Sequence, residues 1–386
     1  MPNTHIFTVN PTTFNVHLNY MFAGTGAGIT SKDSQAHQPG ALADILGVRV
    51  GDNIIFYVTE CGFYGFFKVK NKGNIVFYEN HQGQYLDEEL EGKTLTYRLL
   101  IEASEYGVYE KGVPEWDAIE NPKYIESSSI FKMQWSWIFK KLKGNRGCTA
   151  ITNDEFELLK RIIVHNNKKL PVFHNYKFKD RKISICRERL EYKGNKDILP
   201  RSEVELRTIN LEEDLRIFFT ARVGIESILN EVLRPQDYGR VISIFNETIC
   251  SFGEKKIDLM FFTEKKECLL IELKNDFSCD EKIINQIMGY ARWVSSYKRD
   301  LRKIIPILII REATEIAPSR GCKYFKYLTK NDLENNHPSE WYQDVIKNIQ
   351  EAKISKEKYK IKKMYKLKIY SFNTNQDNII QGFNEL

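Results

Sequence analysis

Short spans of alternating apolar and polar residues fill the first hundred positions, and a repeat of three to four takes over in several later stretches. That change of period separates expected strands from expected helices. HIFTVN (5–10), NIIFYVT (53–59), YGFFKVK (64–70) and KTLTYRLLIEA (93–103) are rich in β-branched and aromatic residues and predict strands. Between the first two, FAGTGAGITSKDSQAHQPG reads as a Gly-rich loop, ALADILG (41–47) as a short helix, and Gly51-Asp52 as a turn. SSSIFKMQWSWIFKKLK (127–143) predicts a helix that stops at Gly144. A second helix begins at Thr152, where T-N-D-E forms a capping box with Glu155, and runs to about His165.

Residues 166–205 are charged and weakly periodic and read as a connector, with a domain boundary within 166–200. From Asn210, NLEEDLRIFFTAR predicts a helix with Asn210 as its N-cap and Glu213 as the capping-box acid. Strands follow at 240–249, 257–263 and 268–274. Next comes a helix at 280–297, with apolar residues at 283, 284, 287, 288, 291 and 294. KIIPILII (303–310) reads as a buried strand and KYFKYL (323–328) as one more. Strand, strand, helix, strand predicts a mixed α/β sheet. At 386 residues the chain is expected to hold two domains. They fall at 1–165 and 206–386, on either side of the connector.

Composition narrows the class. No 18-residue apolar run predicts a membrane span, and the N-terminal residues lack the pattern of a secretory signal. The seven cysteines are scattered without a CxxC pair, which argues for free thiols in a reducing cytoplasm and against a cysteine zinc site. The histidines form no metal-binding pattern. A net charge of +6 is compatible with an acidic partner.

The chemistry concentrates in IDLMFFTEKKECLLIELK (257–274). A hairpin closed by TEKKE sets Asp258 across from residues near 272. Glu272 and Lys274, two apart, share one strand face, while Ile271 and Leu273 take the other. A lone E-x-K is ordinarily a solvated edge. Here Cys268-Leu269-Leu270-Ile271 precede it, so the charges end a buried strand, where burial is costly unless they are paired or bound to metal. Two carboxylates suit a hard divalent cation. A lysine beside it can orient or deprotonate a water, or stabilise charge on a phosphate.

Asp258 followed by Glu272-Leu273-Lys274 resembles the D…ExK core of the PD-(D/E)xK nuclease superfamily. The order I-D, I-E-L-K, then Gln286-x-x-x-Tyr290 on a helix, then an apolar strand, is similar to the nuclease domain of the NucS or EndoMS endonucleases over roughly 205–330. The resemblance implies that Asp258, Glu272 and the Leu273 carbonyl hold Mg²⁺, with Mn²⁺ as a possible substitute. It gives Lys274 the water and places Gln286 near the scissile phosphate. An accessory acid from the preceding helix falls on Glu212, with Glu213 adjacent.

In the N-terminal half, Gly51-Asp52 through Tyr57 and Gly65 through Val69 resemble the strand pattern of PUA-like domains, which include the EVE, ASCH and YTH domains. Such domains hold a flipped base between aromatic walls. The resemblance implies Tyr57, Trp135 and Trp137 as wall candidates, with Asn10, Asn145 and Arg146 as polar readers. Trp135 and Trp137, two apart on a helix, cannot share a face, so one of them at most lines a pocket. Lys140, Lys141 and Lys143, and the segment 353–368 with eight lysines including Lys362 and Lys363, are candidates to contact the DNA backbone.

The expected architecture is therefore a PUA-like β-barrel with flanking helices, followed by a restriction-endonuclease-like mixed sheet sandwiched by helices. The expected function is a cytoplasmic, Mg²⁺-dependent endonuclease acting on double-stranded DNA, a restriction enzyme of type II or a modification-dependent one. One such site cuts one strand, so duplex cleavage implies a homodimer. A mismatch or repair nuclease is the alternative, and a non-catalytic nucleic-acid-binding protein is a third reading.

Overall fold

The computed structural model describes residues 2–26, 32–70, 77–78, 85–86, 88–92, 95–120, 147–165, 167–194, 199, 204, 206–223, 238–250, 255–275, 281–298, 301–312 and 367–385. The chain divides into two units, Met1–Val204 and Glu205–Leu386.

The first unit contains β1 (Thr4–Val9), α1 (Pro11–Tyr20), β2 (Phe22–Thr25), α2 (Lys32–Leu46), β3 (Asn53–Val58), β4 (Gly62–Val69), β5 (Phe77–Tyr78) and β6 (Tyr97–Ala103). It continues with α3 (Glu115–Glu120), β7 (Cys148–Ile151), α4 (Asn153–Val164), β8 (Asn175–Lys179) and β9 (Lys182–Cys186). Seven strands form one sheet in the order β2-β6-β4-β3-β1-β7, with β5 beside β6. The sheet curls until its ends nearly meet: a methyl group added at Gly147, just before β7, would lie 1.8 Å from the Thr25 hydroxyl of β2. Only glycine permits that approach. α4 covers one face, its Phe156, Leu159 and Ile162 packing with Ile6, Ile55 and Phe66. α1 covers the other, where Phe14 meets Phe56 at 5.1 Å and Tyr64 at 5.4 Å.

α4 has the expected capping box: the Thr152 hydroxyl accepts from the Glu155 backbone N–H, and the Glu155 carboxylate accepts from the Thr152 N–H. Three stretches differ from the sequence expectation. The Gly-rich loop is largely structured, supplying β2 and the first turns of α2, which continues through Pro39. α1 was not anticipated, although Asn10 caps it and Pro11 opens it. Within the stretch expected to be a connector, β8 and β9 form a hairpin against α1.

The second unit contains α5 (Glu212–Val223), β10 (Val241–Cys250), β11 (Lys255–Thr263), β12 (Glu267–Lys274), α6 (Glu281–Tyr297), β13 (Lys303–Arg311), β14 (Lys368–Thr374) and β15 (Ile380–Glu385). The sheet order follows the chain, β10 to β15. β10, β11 and β12 run antiparallel, β12, β13 and β14 parallel, and β15 antiparallel to β14. One face buries Leu259, Phe261, Ile271, Leu273, Ile307 and Ile309 beneath Leu215, Phe218 and Phe219 of α5. α6 packs on β12 and β13 with Ile287, Ala291 and Val294 buried. β14 and β15 add two strands beyond the last one the sequence predicts. Asn210 does not cap α5 as expected. Instead the Asp214 carboxylate reaches back to the backbone N–H groups of Asn210 (3.0 Å) and Leu211 (2.9 Å), while Glu213 pairs with Arg216.

The fold is thus mixed α/β, with a curled sheet in the first unit and a mixed sheet in the second. No described helix is long and apolar enough to cross a membrane. Among the described residues Cys61, Cys148, Cys186, Cys250 and Cys268 are free thiols.

Candidate active site in the second unit

The β11–β12 register pairs Leu259 with Ile271, so the next pair along the ladder is Asp258 and Glu272. This cross-strand position brings the two carboxylates to one end of the sheet. Leu273 N–H donates to Asp258 Oδ2 at 2.8 Å, locking the aspartate against the β12 backbone. Glu272 is 1% exposed. Its Oε1 accepts from Gln286 Nε2 at 3.0 Å and lies 3.1 Å from Lys274 Nζ. Its Oε2 is buried and has no hydrogen-bond partner among the described residues.

Lys274 is the local cation. Its Nζ donates to the Leu273 carbonyl at 2.7 Å and reaches Glu212 Oε1 of α5 at 3.2 Å. Of the two acids at the start of α5, Glu212 therefore meets the site, and Glu213 turns to Arg216. Gln286 is fixed by α6: its Nε2 also contacts Tyr290 Oη at 2.6 Å, and that hydroxyl donates to the Lys256 carbonyl at 2.6 Å. The chain from Lys256 through Tyr290 and Gln286 to Glu272 sets the rotamer of the glutamate.

These positions perturb the acids strongly. Burial raises the Asp258 pKa, the negative charge of Glu272 adds to it, and Lys274 opposes it. Burial likewise raises Glu272, with Lys274 again opposing. Burial alone would lower Lys274; Glu272, Asp258 and Glu212 outweigh it and hold the ammonium protonated beyond its usual range. Burial also raises the Tyr290 hydroxyl, with Glu272 adding to it, so the tyrosine stays a neutral donor.

A clamp behind the site went unseen in the sequence. Arg311, at the end of β13, donates to Asn275 Oδ1 (3.0 and 3.2 Å), Thr374 Oγ1 (3.3 Å), Asn378 Oδ1 (3.1 Å) and the Ile209 carbonyl. Asn275 Nδ2 in turn donates to the Asn210 carbonyl at 2.6 Å. One guanidinium thus ties the end of β12, next to Lys274, to the residues leading into α5, next to Glu212.

β10 contributes a kink. Its register with β11 would set Glu247 opposite Asp258, but Glu247 takes left-handed backbone (φ 39°). Its carboxylate meets Arg216 at 3.3 Å and Lys256 at 3.7 Å. A kink beside a site re-aims a side chain in the manner of a β-bulge.

The donor set fits a hard cation. It comprises two carboxylates, one with an unsatisfied buried oxygen, and the Leu273 carbonyl, all oxygen donors. Among the described residues no three His, Cys, Asp or Glu side chains gather as a ligand cage. With only two carboxylates as protein ligands, Mg²⁺ would keep several waters.

In the first unit, the Asn10 side chain accepts from Thr13 N–H as the N-cap of α1, and its Nδ2 lies 3.4 Å from Glu91 Oε2. The Tyr57 hydroxyl donates to Glu115, and its ring packs on Phe63 at 5.1 Å. Both stand at the C-terminal ends of the parallel pair β1 and β3. Trp135, Trp137, Asn145, Arg146, Lys140, Lys141, Lys143, Lys362 and Lys363 lie outside the described residues, as do the helix expected at 127–143 and the strand expected at 323–328.

No family model matches the chain, and no curated protein matches it. Two solved structures are similar over part of it. Protein Atu2648 from Agrobacterium tumefaciens is 17% identical, covering 44% of this chain and 99% of that one, with a TM-score of 0.25. SfsA of Pyrococcus furiosus, solved in complex with Ca²⁺, is 16% identical, covering 53% of this chain and 76% of that one, with a TM-score of 0.23.

Proposed function

We propose that this protein is a Mg²⁺-dependent endonuclease of double-stranded DNA, built as a restriction enzyme of type II or a modification-dependent one. On this reading the second unit is a PD-(D/E)xK nuclease with a restriction-endonuclease-like sheet. The first is a PUA-like barrel that reads a specific or modified flipped base, with Tyr57 and Asn10 at its strand ends among the candidates. The supporting observation is the buried, unpartnered oxygen of Glu272 beside Asp258 and Lys274. Two buried carboxyls side by side share one lysine, so ionising both disfavours folding, and a bound cation would offset that penalty.

Asp258, Glu272 and the Leu273 carbonyl would hold Mg²⁺, or Mn²⁺ in its place. The ion, when bound, lowers the pKa of a bound water and offsets phosphate charge. Lys274, held protonated, donates to a non-bridging phosphate oxygen and stabilises the charge that builds there. Gln286 holds Glu272 in place and presents its amide at the same face. Duplex cleavage takes two copies, so a homodimer belongs to this reading, as does a cytoplasmic setting.

The test is nicking of supercoiled plasmid, modified and unmodified, with Mg²⁺, Mn²⁺ or chelator. Wild type should nick with either ion and not with chelator; Asp258→Asn and Glu272→Gln should not nick at all. Wild-type protein that leaves every substrate intact with both ions would remove the nuclease reading.

A further inference from the structure

The hairpin β8–β9 belongs to neither the proposed catalytic centre nor the proposed base pocket, and its charges are one-sided. Residues 175–189 hold six basic side chains against two acidic ones, a net +4. The two faces differ sharply. Tyr176 and Ile183 are fully buried, and Phe178 packs edge-on against Phe14 at 4.9 Å and Tyr64 at 5.2 Å. Lys177, Lys179, Arg181, Lys182, Arg187 and Arg189 are exposed.

Two features are unfavourable for the isolated hairpin. Lys179 and Lys182 stand directly opposite each other, a like-charge cross-strand pair. The two-residue turn puts Asp180 (φ 50°) and Arg181 (φ 57°) in left-handed backbone, positions normally given to Asn-Gly. Arg181 is thereby carried at the tip. Lys182 pairs with Glu110 and Arg189 with Glu191, whereas Lys177, Lys179, Arg181 and Arg187 make no ion pair among the described residues. The hairpin turn also walls an open groove of about 690 Å³ against α1. Glu60, Glu89 and Asp180 line that groove against Lys179 and Arg181, so the groove itself is not cationic, whereas Lys177 and Lys179 alternate with the inward Phe178 and belong to the opposite face of the hairpin.

We infer that β8–β9 is a duplex-DNA contact ribbon, which grips the phosphate backbone through Lys177, Lys179, Arg181 and Arg187. This rests on the nuclease reading for the identity of the polyanion. Five-residue strands span roughly 17 Å, enough to follow several phosphates. The like-charge pair, repulsive in water, becomes favourable between two phosphates.

The experiment compares the full chain with a Lys177→Ala/Lys179→Ala/Arg181→Ala variant. Binding of a fluorescent 20-base-pair duplex is followed by anisotropy from ~50 to ~200 mM KCl with Ca²⁺. The variant should bind at least ~10-fold more weakly, and its log Kd against log salt should lose a slope of about 2–3, since each lost phosphate contact removes about 0.9. Its melting temperature should not fall, since Lys179→Ala relieves the like-charge pair with Lys182. Arg181→Lys, which keeps the charge, should keep the slope. Equal affinity and slope in variant and wild type overturn the inference and leave the nuclease reading intact. Unchanged duplex binding with lost binding to polyglutamate assigns the hairpin to an acidic protein and also overturns it. If wild type binds no DNA at all, both readings fall together.

Discussion

Lys274→Met removes the ammonium that Glu272, Glu212 and the Leu273 carbonyl share, while keeping most of the volume of the side chain. Breaking a buried pair by deleting one partner costs about 3–5 kcal/mol. Lys274 is 19% exposed and Glu212 is 42% exposed, so only the Glu272 half of the network is fully desolvated. The expected loss in chelator at pH 8 is therefore about 2–3 kcal/mol. In a unit of this size that lowers its melting temperature by roughly 5–10 °C. The pH dependence has a definite sign. Asp258 and Glu272 have folded-state pKa values raised above their unfolded ones, so their contribution is intact at low pH and is lost as pH rises through the folded values. Without the ammonium both rise further. The deficit of the variant should then be small near pH 5 and largest near pH 8. Ca²⁺ should raise its melting temperature by more than it raises that of wild type, because the ion replaces the missing positive charge. Scanning fluorimetry of both proteins at pH 5 and 8, with Ca²⁺ and with chelator, decides the matter. A penalty of equal size at both pH values would point to packing and refute the electrostatic account, and so would no penalty at pH 8.

Two further expectations concern the first unit. His17 is fully buried, donates from Nδ1 to the Thr13 carbonyl at 2.6 Å and stacks on Phe22; burial lowers its pKa from 6.5 to about 4. A lowered histidine keeps full stability above pH 6.5 and loses it on acidification toward 4. That loss amounts to about 3 kcal/mol, so urea midpoints should fall over this window in wild type and stay flatter in His17→Phe. Gly147→Ala drives a methyl into Thr25 and should cost about 1–3 kcal/mol in thermal melts, and adding Thr25→Ala should recover much of it, a non-additivity that independent sites would not show.

The second unit was the more legible half of the sequence. Its apolar runs 257–263 and 268–274, its helical spacing at 280–297 and its strand at 303–310 became β11, β12, α6 and β13 nearly to the residue. Strict alternation and helical repeat are local signals, and the Asp258–Glu272 pairing follows from a tight turn. What escaped was non-local or masked by composition. Arg311 and Asn275 act through partners far away in the chain, which no spacing rule can supply. β8 and β9 alternate apolar with basic residues around Asp180-Arg181, but without a glycine the turn gave no signal. Lysine-rich flanks hid the alternation in KIYSFNT. The cap of α5 was misassigned because Glu213 sits at the usual spacing, whereas Asp214 lies one residue further on and reaches back. α1 was missed although Asn10-Pro11 is a helix-start signature, because its Thr, Phe, Val and Tyr residues favour strands.

The left-handed backbone at Glu247 bears on ion valence. On the nuclease reading, with Lys274 and Glu212 offsetting each other, Asp258 and Glu272 would give up their protons to a bound ion and present two negative charges to it. Were β10 regular at that point, Glu247 would join the row as a third acid, and the balance would move toward trivalent ions such as lanthanides. On the nuclease reading, one dihedral angle, as much as the number of acids in the chain, would then set the ion charge that this end of the sheet can neutralise.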